Sequence, residues 1–153
     1  MNVLKQIFVL APLAATLAWP APAGSNPLLR PNSVTVMADH GGEVIRYAIK
    51  VKQYEKQKKQ VRFAGRCSSA CTLYLSLPAS QTCIAPGANF GFHKAYGASP
   101  RGNRTANEFL MRNYPGWVRK WIADNGGLTS SIKTMNYAYA AEHLAKCDSA
   151  IGA

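Results

Sequence analysis

The chain has 153 residues, with 18 Lys and Arg against 7 Asp and Glu, for a formal net charge of +11. That length holds one domain around one modest core. Such a balance is compatible with a solvated basic face or with attraction to an anionic partner, but nothing resembling a nucleic-acid module accompanies it, so a physiological nucleic-acid target is not expected.

Residues 1–23 read as an export signal. Lys5 supplies a short positive region, Ile7 to Trp19 a mostly apolar one, and Ala21-Pro22-Ala23 small residues at the positions a signal peptidase reads. Pro12 and Pro20 interrupt a stretch already short of the ~20 residues a spanning helix needs. Cleavage near Ala23 would remove Lys5 alone, lower the net charge by one from +11 to +10, and deliver the protein to the periplasm or outside the cell. All four cysteines (Cys67, Cys71, Cys83 and Cys147) follow this segment, so two disulfides are expected, in any of three pairings. A zinc site is the weaker reading, because Cys83 and Cys147 lie far apart and no second close ligand pair appears. No metal or cofactor is expected.

Residues 24–32 form an extended lead-in, and 33–153 are read as the folded domain. Ser33 to Ala38 alternates small polar and apolar residues, which suits a short strand. Asp39-His40-Gly41-Gly42 breaks it. From Glu43 the recurrence of Val44, Tyr47, Ala48, Val51 and Tyr54 predicts a helix ending near Lys59. Its Lys50, Lys52, Lys56, Lys58 and Lys59 read as a solvated face, with attraction to anionic envelope components as the alternative. A strand at 60–65 completes a βαβ unit, whose two strands should be parallel. A short buried helix is predicted over 70–77, a loop over 78–81, and strands over 82–85 and 87–93. Residues 94–103 read as a mobile surface loop. Helices follow at 105–113 and from Pro115 to about Asp124, the latter burying Trp117, Val118, Trp121 and Ile122 and stopping at Asn125-Gly126-Gly127. Ser130 to Thr134 reads as one turn, and Tyr137 to Lys146 as a last helix.

The chemistry concentrates at Arg66-Cys67-Ser68-Ser69-Ala70-Cys71-Thr72. A strand-to-helix turn exposes a serine well and leaves free N–H groups to hold an oxyanion. His93 ends a later strand, in Gly91-Phe92-His93. Serine is also the residue type most often found capping a helix start, so Ser69 as nucleophile and as cap stand side by side. Ser68 is the fallback nucleophile if the turn is shifted by one. His40 reads as a turn residue and His143 as a surface residue. Trp117 and Trp121 read as core.

Gly41-Gly42, the helix after it, and Cys67-Ser68-Ser69-Ala70-Cys71-Thr72 with Gly91-Phe92-His93 resemble the Clp peptidase subunit and its crotonase-like relatives, and more closely a group of secreted, Clp-peptidase-like bacterial proteins. The resemblance covers about residues 33 to 145. It implies a single-domain α/β fold, a trimmed ClpP/crotonase-like spiral of strands and helices, and serine-hydrolase chemistry. Carried over by position, Ser69 is the nucleophile, His93 the general base, and Gly41, Gly42 and Ala70 the backbone donors of an oxyanion hole.

The chain departs from that pattern in three places. Where the family has an aspartate, this chain reads Lys133-Thr134-Met135-Asn136-Tyr137, with no carboxylate. Asn136 is then the candidate to orient the imidazole, and Asp148 lies beyond the last helix. The lead-in before the first strand is short, which would leave an edge for a partner or second copy to cover. Disulfides beside the turn would rigidify it. Two function classes follow. One is a secreted serine hydrolase of peptidase type, acting on a peptide or acyl substrate through a Ser69–His93 dyad assisted by Asn136. The other is a non-catalytic secreted scaffold that keeps the fold and binds an envelope or anionic partner.

Overall fold

The computed structural model describes residues 32–147. The export signal, nearly all of the lead-in, and Asp148 lie outside the described residues. Within them the chain forms a mixed α/β domain, with a six-stranded sheet and helices packed on it.

The central strand is β2, Gln60–Ser68. One of its edges pairs in parallel with β1, Ser33–Asp39. The other edge is shared. Val61 to Phe63 pair with β3, Thr82–Ile84, and Arg66 to Ser68 with β4, Asn89–Phe92. The register between β1 and β2 shifts between Val36 and Ala38, leaving Ala64 and Gly65 opposite Met37. Gly65 packs there against the Met37 backbone, where a Cβ would come within 1.9 Å of the Met37 carbonyl oxygen. This is a β-bulge at a strand glycine, two residues before the Cys-Ser-Ser-Ala-Cys segment.

Helix α1, Val44–Lys56, crosses between the two parallel strands as the periodicity predicts, with Tyr47 and Val51 buried four apart. β2 runs three residues beyond the expected strand, to Ser68. The segment after it is a 3₁₀ helix, Ser69–Ser76, in which Ala70 to Leu75 are all buried. It is apolar on every side, so burial and not amphipathic periodicity sets its course.

Several expectations from the second half are corrected. Ser99 and Pro100 are not loop. The Ser99 hydroxyl accepts from Gly102 N–H and Pro100 takes the first helical position of α2, Pro100–Asn113, where its missing N–H costs nothing. Helix α3, Gly116–Asp124, forms as expected and stops where Gly127 N–H bonds the Ile122 carbonyl. Ser130 to Thr134 contributes no helical turn. Lys133–Met135 is β5, antiparallel to β4, and Lys133 Nζ donates to the Asn125 and Gly127 carbonyls at the end of α3. The last helix, α4, is only Tyr137–Ala140. Ala145–Lys146 is β6, parallel to β3.

Phe63, Phe90, Phe92, Leu73, Ile84 and Met135 are among the largest fully buried side chains, so the core lies under β2, β3 and β4. Trp117 and Trp121 are partly buried against it. The cysteines pair as Cys67–Cys71, across the turn, and Cys83–Cys147, tying β3 to the chain after β6. No cysteine is free, as an oxidising compartment would leave them. No helix of the described residues is long and apolar enough to cross a membrane.

Candidate functional site

β2 delivers the chain to Ser69, which adopts φ +58°. A non-glycine residue in the left-handed region costs on the order of 1–3 kcal/mol and persists only where its surroundings over-determine it. Three contacts do so here. The Cys67–Cys71 disulfide brackets the turn, with the two Cα atoms 5.4 Å apart. Behind it, Thr72 Oγ1 donates to the Ser69 carbonyl at 2.6 Å. The Thr72 hydroxyl has one proton, so its 2.6 Å contact with Tyr114 is donated by the Tyr114 hydroxyl. Burial pushes the Tyr114 phenol up to about 12.

The third contact is Gly41, at φ +82°. A Cβ there would lie 2.7 Å from Ser69 Cβ, 2.6 Å from the Ser68 carbonyl oxygen and 2.7 Å from the Ala70 amide nitrogen. Only glycine permits that approach in that conformation. Asp39 holds the turn in place, because its Oδ1 accepts from both Gly41 N–H at 2.8 Å and the Tyr47 hydroxyl at 2.6 Å. Burial, with the Asp39 bond adding to it, raises the Tyr47 phenol well above its usual range and keeps it a donor.

The Gly41 N–H is therefore committed to Asp39. The N–H groups of Gly42 and Ala70 enter none of the hydrogen bonds found among the described residues, and Ala70 stands in the first turn of the 3₁₀ helix, where an unpartnered N–H is the normal condition. Gly41 packs against the Ala70 amide, and the N–H groups of Gly42 and Ala70 are left uncommitted among the described residues.

Ser68 stands at the position preceding the 3₁₀ helix, and neither serine makes a side-chain capping bond there. Ser68 is buried, with its hydroxyl 2.5 Å from where a Cβ on Gly91 would sit. Ser69 is half-buried, and its hydroxyl has no hydrogen-bond partner among the described residues. Ser69 and His93 line the same groove.

His93, at the end of β4, is buried, and its Nδ1 lies 2.7 Å from the Lys94 carbonyl. A carbonyl only accepts, so Nδ1 carries the proton, and in the neutral ring Nε2 keeps the lone pair. The following backbone is anchored by Lys94 N–H to the Thr129 carbonyl at 2.7 Å and Ala95 N–H to Asn107 Oδ1 at 2.8 Å. The first residues of the expected mobile loop are therefore held in place.

Asn136 has a different partner. Its Oδ1 accepts from Tyr139 N–H at 3.0 Å, which caps α4. The group found on His93 Nδ1 is the carbonyl of its own chain neighbour. Sequence reasoning missed Lys94, and no side-chain pattern signals it, because the atom that contacts His93 is backbone. It also missed Asp39, Thr72 and Tyr114. His40 lines the groove beside Gly41. His143 is exposed and stacks on Trp117 with ring centroids 4.8 Å apart.

Among the described residues no group of three or more His, Cys, Asp or Glu converges to hold a metal ion. The chemistry on offer is that of a hydroxyl on a strained turn, an imidazole with a fixed tautomer, and two backbone donors. No protein-family model matches the chain, and no curated protein matches it either.

Proposed function

We propose that the chain is a secreted serine hydrolase of peptidase type, built as a trimmed ClpP/crotonase-like fold. The observation that carries this reading is the left-handed Ser69 with its uncommitted hydroxyl, in one groove with a His93 whose Nδ1 proton is occupied. In this mechanism His93 Nε2 takes the Ser69 proton as Oγ attacks an acyl carbonyl. The N–H groups of Gly42 and Ala70 hold the oxyanion, each contributing about 3–4 kcal/mol of transition-state stabilisation. His93 then returns the proton to the leaving amine or alcohol, and water releases the acyl group by the reverse sequence. The Lys94 carbonyl keeps the tautomer but adds no negative charge to stabilise the imidazolium, so turnover is slow beside that of a carboxylate triad. The two disulfides support an oxidising destination.

Among the described residues no carboxylate is bonded to His93, which favours one second reading, a non-catalytic scaffold that binds a partner through the same groove. Labelling the purified protein with a fluorophosphonate probe separates the two. Labelling of wild type that disappears in Ser69→Ala and in His93→Ala establishes an activated serine. A folded wild-type protein that takes no label supports the scaffold.

A further inference from the structure

The groove that contains Ser69 runs between α1 and α2, and its volume is about 1970 Å³. Small-molecule pockets are roughly 300–1,000 Å³, so the space suits a segment of polymer and exceeds what a compact metabolite fills. The 13 residues of α1 along one wall span about 18 Å, the length of roughly five or six residues of extended chain.

Two features of its lining point to the same occupant. Five large apolar side chains are exposed among the described residues, and four of them, Ile45, Ile49, Tyr96 and Ile132, line this groove. Ile45 and Ile49 lie one turn apart on α1, while Tyr96 stands by the imidazole, its ring centroid 5.5 Å from that of His93. The second feature is charge. Lys56, Arg66 and Arg101 line the groove and have no acidic partner among the described residues. The groove's own acids, Glu43 and Glu55, are paired with Arg46 and Lys52.

We propose that the groove takes an extended peptide segment in which bulky apolar residues alternate with Asp or Glu. The apolar side chains lie against Ile45, Ile49 and Tyr96, and the carboxylates meet Lys56, Arg66 and Arg101. A charge-matched peptide gains on-rate and discrimination against lysine-bearing competitors, for which the same three cations are repulsive. The proposal rests on the peptidase reading only for placing the scissile bond at Ser69; the recognition itself needs no catalysis.

The test is therefore a binding measurement on the full disulfide-bonded chain carrying Ser69→Ala. Fluorescence polarisation would compare a labelled peptide of alternating Leu/Phe and Asp/Glu with the same peptide carrying Lys at the acidic positions. The expected result is binding at least tenfold tighter for the acidic peptide. That preference should shrink at 0.5 M salt and fall at least tenfold in Arg66→Glu and in the Lys56→Glu/Arg101→Glu double variant. These three side chains lie at the surface, and circular dichroism checks that each variant is folded. Equal affinity for the two peptides, no binding of either, or a preference that survives charge reversal overturns the proposal. So does capture by phosphatidylglycerol vesicles that is lost in the same variants while no peptide binds. Binding without fluorophosphonate labelling of wild type would leave this inference standing and remove the hydrolase. Labelling without acidic-peptide preference would do the reverse.

Discussion

Gly41 and Ser69 pack so closely that no side chain fits between them. A Cβ on Gly41 would meet Ser69 Cβ at 2.7 Å and the Ala70 amide nitrogen at 2.7 Å. The Asp39–Gly42 turn and the Ser69 turn are therefore one packed unit, although Gly41 and Ser69 are 28 positions apart in the chain.

Gly41→Ala should break that unit. The substitution adds a backbone clash and places an L-residue at φ +82°. A cost of about 2–4 kcal/mol is expected, with loss of fluorophosphonate labelling. Urea denaturation gives the first quantity and gel fluorescence the second. A variant of wild-type stability and labelling would show that the two turns are not coupled.

Thr72 and Tyr114 should act on Ser69 as a pair. Thr72→Val leaves the Tyr114 hydroxyl without its buried partner and removes the bond to the Ser69 carbonyl, for about 2–3 kcal/mol. Tyr114→Phe removes one bond and should cost about 1–1.5 kcal/mol. The double variant should cost less than the two singles added together, a non-additivity that a double-mutant cycle in urea measures directly.

Alkali should remove the Tyr114 contribution. The phenol is raised to about 12 in the folded chain, against about 10 when unfolded. Between those values the folded state holds a proton that the unfolded state has lost, so stability is full below pH 10 and falls as the pH rises through about 12. Tyr114→Phe should show a shallower decline over that window. Equal slopes for the two proteins, in denaturation midpoints taken from pH 9 to 12, would refute the assignment.

The two disulfides should differ in weight. Cys83–Cys147 closes 64 positions and Cys67–Cys71 only 4. In the chain-entropy model the first contributes about 4 kcal/mol and the second about 2. Replacing Cys83 and Cys147 by Ser should therefore lower the guanidinium midpoint more. Replacing Cys67 and Cys71 should have its larger effect on labelling, because that bridge brackets Ser69.

The first half of the fold is legible in the sequence because its signals are local. Tyr47 and Val51 mark one face of α1, Gly41-Gly42 marks the turn before it, and a helix between two short apolar runs calls for parallel strands. The same holds for the end of α3, where Asn125-Gly126-Gly127 stops any helix. Ser69, His93, Gly42 and Ala70 were legible as site candidates for a similar reason: small hydroxyl residues, glycines and an imidazole fall at the ends of readable elements. Tertiary structure decided the rest. Lys133–Met135 is a strand only because β4 offers it an edge, and Ala145–Lys146 only because β3 does; strands of three and two residues have no periodicity to read. Four cysteines allow three pairings, and the proximity of β3 to the end of the chain selects one. The left-handed φ of Ser69 is not a property of serine. Gly41, the Cys67–Cys71 bridge and the Thr72–Tyr114 bond impose it from three directions, and two of those three come from distant parts of the chain. Residue type and spacing determined which groups this protein has available, while long-range packing decided which of them are strained, which are occupied, and which are left free to react.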